Sequence, residues 1–273
     1  MSSRLERLTT YAILFTFTVI VLLPLISIVS VALAPPGARV SGLSWPTNPR
    51  WANFSDAWQI GGFGRLLLSS TTVAAVVVPV ATVISVLAGY AFGTMRFPGK
   101  STLFSLFLLG IVLPYEATVI ALYFDLSALG LTDSLLGLIL PEIGLFLCFG
   151  TFWMRAFFLS TPQALVEAAR IDGANSLQIL LRVLMPLARP AISTLMILFF
   201  FWSWNEFLLA LVLIQDPALR TAPAGLGMFV GQFSSDVSGL AAGTILVTAP
   251  VVLFYLLAQR KVIAGMLEGA VKG

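Results

Sequence analysis

Leu66 to Met95 reads LLLSSTTVAAVVVPVATVISVLAGYAFGTM, an uncharged run framed by Arg65 and Arg96. A helix rises 1.5 Å per residue, so such a run exceeds the roughly 30 Å hydrocarbon core of a bilayer. Its apolar residues come in blocks rather than alternating, which excludes a barrel strand and predicts a helix that satisfies its own backbone in lipid. Five further runs follow the same logic. Residues 11–33 and 237–259 carry no charge, and 101–122, 134–154 and 191–214 carry one acid each, Glu116, Glu142 and Glu206. The spacing predicts an all-α polytopic membrane protein, one transmembrane domain over 1–273 with six spans at about 11–33, 66–95, 101–122, 134–154, 191–214 and 237–259.

Composition agrees. Hydrophobic residues make up 59% of the 273 and charged residues 10%, against about 45–50% and 25% in soluble domains. Too few ionic groups remain to cover a soluble surface or to sustain disorder. Histidine is absent, which removes histidine metal sites, Ser-His-Asp triads and imidazole relays. Cys148 is the lone cysteine; it cannot pair within the chain and reads as a small apolar residue. The basic residues are scattered between apolar runs, which gives no nucleic-acid surface.

Their scatter reports topology instead. With the N-terminus inside, eleven of the 15 Lys and Arg fall in internal segments, and only Arg39, Arg50, Arg65 and Arg220 fall outside. The positive-inside rule therefore expects both termini in the cytoplasm of a multi-pass inner-membrane protein. The first span has a second reading: Arg4 and Arg7 before an apolar run that ends in Ala32-Leu33-Ala34 resemble a signal peptide with its cleavage site. The run is longer than the 7–15 residues of such a region, which favours a retained helix. External residues 34–64 are rich in Pro, Gly and Trp, and Trp45, Trp51 and Trp58 suit the membrane–water interface.

The internal segment 159–190 carries the most information. Thr161-Pro162 is a helix-start pattern, 162–172 favours helix, and Gly173 stands where a left-handed residue ends one. A second helix is expected from Asn175 or Ser176, with Leu177, Leu180, Leu181 and Leu184 on one face, closed by Pro186 and Pro190. Ala164, Ala168 and Ala169 would let a partner backbone approach closely, and Glu167, Arg170 and Asp172 would supply polar contacts. A plain surface helix with a Glu167–Arg170 pair explains the same residues.

Glu167-Ala168-Ala169, Asp172-Gly173-Ala174 and Pro186 resemble the EAA loop of ABC importer permeases. The rest of the chain is similar to the carbohydrate-uptake branch, of the kind of the maltose permease G-type subunit: Pro114 with Glu116, the turn Leu129–Asp133, Trp204-Asn205-Glu206-Phe207, and the Gly269–Gly273 tail. Leu180 and Asn175 stand where the family often has Phe and Ser. The resemblance implies import of a sugar, or of a phosphorylated polyol such as glycerol-3-phosphate. It implies that the loop docks on a cytoplasmic ATP-binding subunit through Glu167, Ala168, Ala169, Arg170, Asp172, Gly173 and Pro186. It also implies that a cytoplasmic tail 260–273, with Lys261, Gly265 and Lys272, reaches the ATPase dimer. The implied partners are a second homologous permease, two ATP-binding subunits and an extracytoplasmic sugar-binding protein. ATP and Mg would be held by those subunits, with no cofactor, metal or catalytic residue in this chain.

A phosphate loop is not formed: Gly93 and Gly99-Lys100-Ser101 leave five intervening residues where four are required, and Pro98 removes an N–H donor. The membrane acids have two readings. Glu116, Glu142 and Glu206, with Trp204 and Asn205, could line a sugar pathway, or they could be helix-packing residues. Pro114 and Pro141 place Glu116 and Glu142 at expected helix breaks. Gly89 and Gly93 have a spacing suited to close helix packing. An ion-coupled secondary transporter is the competing class, and a membrane enzyme lacks its acid–base groups.

Overall fold

A computed structural model describes residues 4–38, 44–231 and 236–270. The described residues are mostly helical and contain no β-strand. In chain order the helices are α1 (Arg4–Ala32), α2 (Ala52–Ile60), α3 (Phe63–Thr94), α4 (Lys100–Val112), α5 (Tyr115–Ala128), α6 (Leu135–Ser160), α7 (Gln163–Ile171) and α8 (Ser176–Gln178). A π-helical segment, Ile179–Leu184, joins α8 to α9 (Met185–Asn205), followed by α10 (Leu208–Leu213), α11 (Ala222–Gly225) and α12 (Val237–Ala270). Five stretches are long and apolar enough to span a bilayer, and the bent pair α4–α5 makes a sixth. The chain divides into two compact units, Met1–Arg65 with Gly225–Pro250, and Leu66–Ala224 with Val251–Gly273.

In the first unit, none of the most apolar window of α1 is buried, as expected of a helix whose solvent is lipid. Its C-terminal end, by contrast, is packed: Ala32, Leu33 and Ala34 are buried. Asn53 explains this. It is buried on α2, and its Nδ2 donates to the carbonyls of Ala32 and Ala34, both at 2.8 Å. Those are carbonyls that a terminating helix leaves without a partner. Arg50 pairs with Asp56 at 2.9 Å and donates to Asn53 Oδ1 at 3.2 Å, which orients the amide. Trp45, Trp51 and Trp58 are exposed. Phe63 and Phe229 stack at 6.2 Å in the interior of this unit, and Gly243 makes room for the Phe63 ring.

In the second unit, α3, α6 and α9 form the core. Small residues set their separation. A Cβ on Gly89 would fall 2.5 Å from Met154 Cβ, one on Gly93 would fall 2.8 Å from Phe158 Cβ, and one on Gly150 would overlap Ser85 Oγ. Phe146 and Phe199 stack at 5.0 Å between α6 and α9. Trp153 Nε1 donates across the same pair to Ala191 O at 3.1 Å. Cys148 packs against Gly110, an apolar contact between α6 and α4.

Five expectations are corrected. The span 101–122 is not one helix: α4 and α5 meet at 99°. Pro114 has no N–H and forces Leu113 into the extended region (ψ 127°), so helix cannot run through. The span 191–214 begins much earlier, at Ser176, and stops at Asn205, with Glu206 extended and α10 restarting at Leu208. Pro186 and Pro190 lie inside this long helix instead of closing it. The π segment directly before Pro186 widens the turn where the proline ring would meet the Arg182 carbonyl. It also changes the buried face. Ile179, Leu180 and Leu184 are buried, while Leu177 and Leu181 are exposed, in place of the regular i, i+3, i+4, i+7 stripe. Finally, α12 runs on to Ala270, so Lys261 and Gly265 lie on its helical backbone, with side chains outside the described residues. Lys272 lies outside the described residues altogether.

Replacing Asn53 by Ala removes both bonds to the end of α1 and is expected to cost about 1–3 kcal/mol. The check is a lower thermal midpoint of the purified protein in detergent. Gln59→Ala, an exposed change on the same helix, should leave the midpoint where it was.

Candidate functional site

Between α6 and α9 the chain makes a tight elbow that follows from local chemistry. Ser160 and Thr161 end α6, and Thr161 does not cap the next helix: its Oγ1 donates back to Phe157 O at 3.2 Å. Pro162 precedes α7, which spans Gln163–Ile171. The helix ends in a Schellman arrangement, with Gly173 N donating to Arg170 O at 3.0 Å and Ala174 N to Ala169 O at 2.9 Å. Gly173 has φ +83°, a conformation that side-chain-bearing residues rarely adopt. Asn175 then caps the next helix reciprocally: Gln178 N donates to Asn175 Oδ1 and Asn175 N to Gln178 Oε1, both at 2.9 Å. Asn therefore serves at this position through its own side-chain oxygen. Tyr90 Oη, from α3, donates to Ser176 O at 3.1 Å and pins the elbow to the core.

On α7 only Val166 is buried. Gln163, Val166, Glu167 and Arg170 share the edge that faces the ends of α3 and α6. Ala164, Ala168 and Asp172 are exposed, Ala169 is half-buried against the core, and Ile171 is 86% exposed. Leu165 and Leu177 are exposed as well. The sequence reading singled out the alanines and charges and passed over Ile171. Its position between Arg170 and Asp172 was the available signal, since an isoleucine at a helix end outside the lipid has little reason to face water. Pro186 lies apart from this group, in the membrane-entering part of α9.

The membrane residues do not converge as one site. Glu116 is exposed in the first turn of α5. Trp204 is buried, its ring 5.5 Å from that of Phe200, and it presents no open ring face. Asn205 is exposed, with Nδ2 donating to Phe201 O at 2.8 Å. Glu206 occupies the break between α9 and α10. Its Oε1 accepts from Leu209 N at 2.7 Å, and Tyr115 Oη donates to its Oε2 at 3.4 Å. Glu206 thus serves as an N-terminal cap for α10 and ties it to the restart of the broken helix. Glu142 is not at a break, because α6 continues through Pro141. It is 1% exposed, and neither carboxyl oxygen has a hydrogen-bond partner among the described residues. The buried Ser203 hydroxyl is its weak polar partner, outside regular hydrogen-bond geometry, and Glu206 lies within electrostatic reach. The structure therefore groups Tyr115, Glu142, Ser203 and Glu206, and leaves Glu116, Trp204 and Asn205 out. Tyr115 and Ser203 were not anticipated. Each adjoins a residue that was, Glu116 and Trp204, on a different face of its helix.

The profile of one protein family, described as "Binding-protein-dependent transport system inner membrane component", matches residues 61–266. The chain belongs to this family. Among curated relatives, the trehalose transport system permease protein SugB of Mycobacterium tuberculosis is 36% identical over 98% of this chain and 99% of its own length. The sn-glycerol-3-phosphate transport system permease protein UgpE of Pectobacterium atrosepticum is 30% identical, with 82% of each chain covered. A solved bacterial ABC transporter involved in import of the acidic polysaccharide alginate superposes with a TM-score of 0.78 at 24% identity, covering 95% of this chain and 98% of that one. This last likeness shows the fold. The chain is accordingly a multi-pass ABC-importer permease of the carbohydrate-uptake branch.

Within this permease, a buried carboxyl with only a poorly aligned hydroxyl beside it is a net cost to the fold. Glu142→Met fills similar volume and is expected to raise stability by about 1–3 kcal/mol. A thermal midpoint in detergent that rises for Glu142→Met and falls for Glu142→Lys is the expected pattern.

Proposed function

We propose that this permease is one of two such subunits of an ATP-driven importer, and that its cargo is a sugar, with a di- or oligosaccharide the best fit. Its partners in this reading are a homologous permease, two ATP-binding subunits that hold ATP and Mg, and an extracytoplasmic binding protein. Both termini would lie in the cytoplasm, in keeping with the distribution of Lys and Arg. The observation that carries the coupling role is α7 itself: a short helix outside the spans, ended by a rigid elbow, with Ile171 almost fully exposed. Exposed apolar surface of that kind calls for a covering partner.

In this reading Ile171 and Leu165 enter a cleft on the ATP-binding subunit. Ala164 and Ala168 let its backbone come close. Glu167, Arg170 and Asp172 supply the polar rim, while Gly173 and the Asn175 cap fix the angle at which α7 is presented. Pro186 shapes the entry of the following helix into the membrane. Lys261, Gly265 and Lys272 are proposed to reach the ATPase dimer from the tail. Closure of the ATP-binding subunits would move α7 and alternate the access of the pathway. Along that pathway the grouped Tyr115, Glu142, Ser203 and Glu206 supply acceptors and hydroxyl donors suited to a polyol. Glu116 and Asn205 are exposed and open to a partner permease.

The cargo rests on the relatives. The names of those at 36% and 28% identity specify trehalose and diacetylchitobiose, which supports a disaccharide-sized substrate. The glycerol-3-phosphate permease at 30% identity favours a second reading, a phosphorylated polyol.

Burying an isoleucine side chain is worth about 1.5–3 kcal/mol. Ile171→Asp should therefore weaken capture of the ATP-binding subunit by a tagged chain at least roughly tenfold. Gly173→Pro, which cannot take φ +83°, should abolish substrate-stimulated ATPase activity. A native chain that purifies alone and transports without any ATPase would overturn the reading.

A further inference from the structure

Three membrane helices end on the side of α7, and between their ends lies a pocket of about 260 Å³. Its walls come from the last turn of α3, the turn into α4, the end of α6 and the inward edge of α7. Arg96, Lys100 and Arg170 line it, against a single carboxylate, Glu167. Among the described residues, none of the three cations lies within ion-pair distance of a carboxylate. Lys100 is held in place by donation from Nζ to Met95 O at 2.8 Å. It also feels the like charges of Arg155 and Arg96. Arg155 is engaged elsewhere, with Nε donating to Phe92 O at 3.3 Å and its guanidinium 4.0 Å from the centre of the Phe104 ring. Cations gathered this closely repel one another unless an anion answers them.

The level of the pocket identifies the anion. α3 ends at Thr94, α4 starts at Lys100 and α6 ends at Ser160, so the cations stand where the apolar spans give way to water. By the lengths of these apolar helices, that is the level expected for phospholipid phosphates. Leu159, also on the wall, is 53% exposed and Met95 37%, which places apolar surface for an acyl chain beside the charged groups. Basic pockets between helices on this face suit anionic headgroups.

We propose that this pocket binds a phosphate-bearing anion, held by Arg96, Lys100 and Arg170, with the headgroup of an anionic phospholipid as the source that fits its depth. The proposal rests on α7 lying outside the lipid and does not require α7 to couple to an ATPase. A headgroup here would bridge α3 and α4 to α7 and so tie the elbow to the bilayer surface.

The test is native mass spectrometry of the full chain with whatever subunits accompany it from mild detergent, with phosphatidylglycerol, phosphatidylcholine or inorganic phosphate added in turn. Retention of phosphatidylglycerol over phosphatidylcholine is expected, with Arg96→Gln/Lys100→Gln weakening it roughly fivefold per cation removed. Arg96→Lys/Lys100→Arg should retain it. If the double glutamine variant does not fold, Arg96→Gln alone, at an exposed residue, carries the comparison. Inorganic phosphate bound by the native chain, lost in the variant and unaccompanied by lipid selectivity would assign the site to a free phosphate. Equal retention of every probe by native and variant chains overturns the proposal. The same spectra report independently whether ATP-binding subunits accompany the chain, so failure of the coupling reading is seen separately.

Discussion

A helix that stops inside a bilayer exposes backbone donors and acceptors where no water is available to satisfy them. The structure meets this constraint at its interruptions, and much of its architecture follows. At the break after Asn205, the Glu206 carboxylate accepts from Leu209 N, and Thr221 Oγ1 donates to the Glu206 carbonyl at 3.4 Å. Where α10 ends, Asp133 takes up the slack. Its Oδ1 accepts from Gln215 N and from Asp216 N, and its own N–H donates to Leu213 O at 3.0 Å. Asp133 adopts φ +54° to do so, a strain tolerable for Asp because its short polar side chain finds local partners. Even Pro186 is accommodated, by a wider turn upstream rather than by a break.

This bears on the membrane acids. Glu206 is occupied with the repair of a helix terminus, so its charge has a structural purpose whatever else it does. Glu142 has none. It sits one turn from the Phe146–Phe199 stack, buried with the poorly aligned hydroxyl of Ser203 beside it. A polar group that costs stability without repairing anything is the kind of residue that function retains. Of the acids singled out from sequence, Glu142 is thus the one whose presence packing alone does not explain.

The membrane class was legible because it depends on one-dimensional quantities: run length, charge and composition. The elbow was legible for a similar reason, since Gly173 and Asn175 carry their conformations in their side-chain chemistry. What escaped was set by register and by three-dimensional neighbours. Periodicity assumed 3.6 residues per turn through 177–184, where the π segment shifts the buried face to Ile179, Leu180 and Leu184. Pro114 broke its helix and Pro141 did not, although both looked alike in sequence. Pro141 is the seventh residue of a helix whose N-terminus is capped by Ser134, past the free N–H groups of the first turn, and α6 continues through it at the loss of one bond to the Gly137 carbonyl. Ile171 gave only the hint of its charged neighbours Arg170 and Asp172, and it is burial that shows it facing outward.

The uninterrupted stretch from Ser176 to Asn205 gives these features a common mechanical consequence. At 1.5 Å per residue, its 30 residues reach about 45 Å, further than the hydrocarbon core. One end is fixed to α7 through Gly173 and Asn175, and the other is the break at Glu206, beside Tyr115 and Glu142. Trp153 and the Phe146–Phe199 stack hold its middle against α6. A rod clamped near its centre converts a displacement at one end into an opposite displacement at the other. The elbow has no slack, because the Schellman turn and the reciprocal cap satisfy its backbone in one geometry. Movement imposed on α7 would therefore be felt at the Glu206 break, whose bonds with Leu209, Thr221 and Tyr115 join the rod to its neighbours. In the coupling reading proposed above, the elbow at Gly173 and the break at Glu206 are the two ends between which such motion would pass.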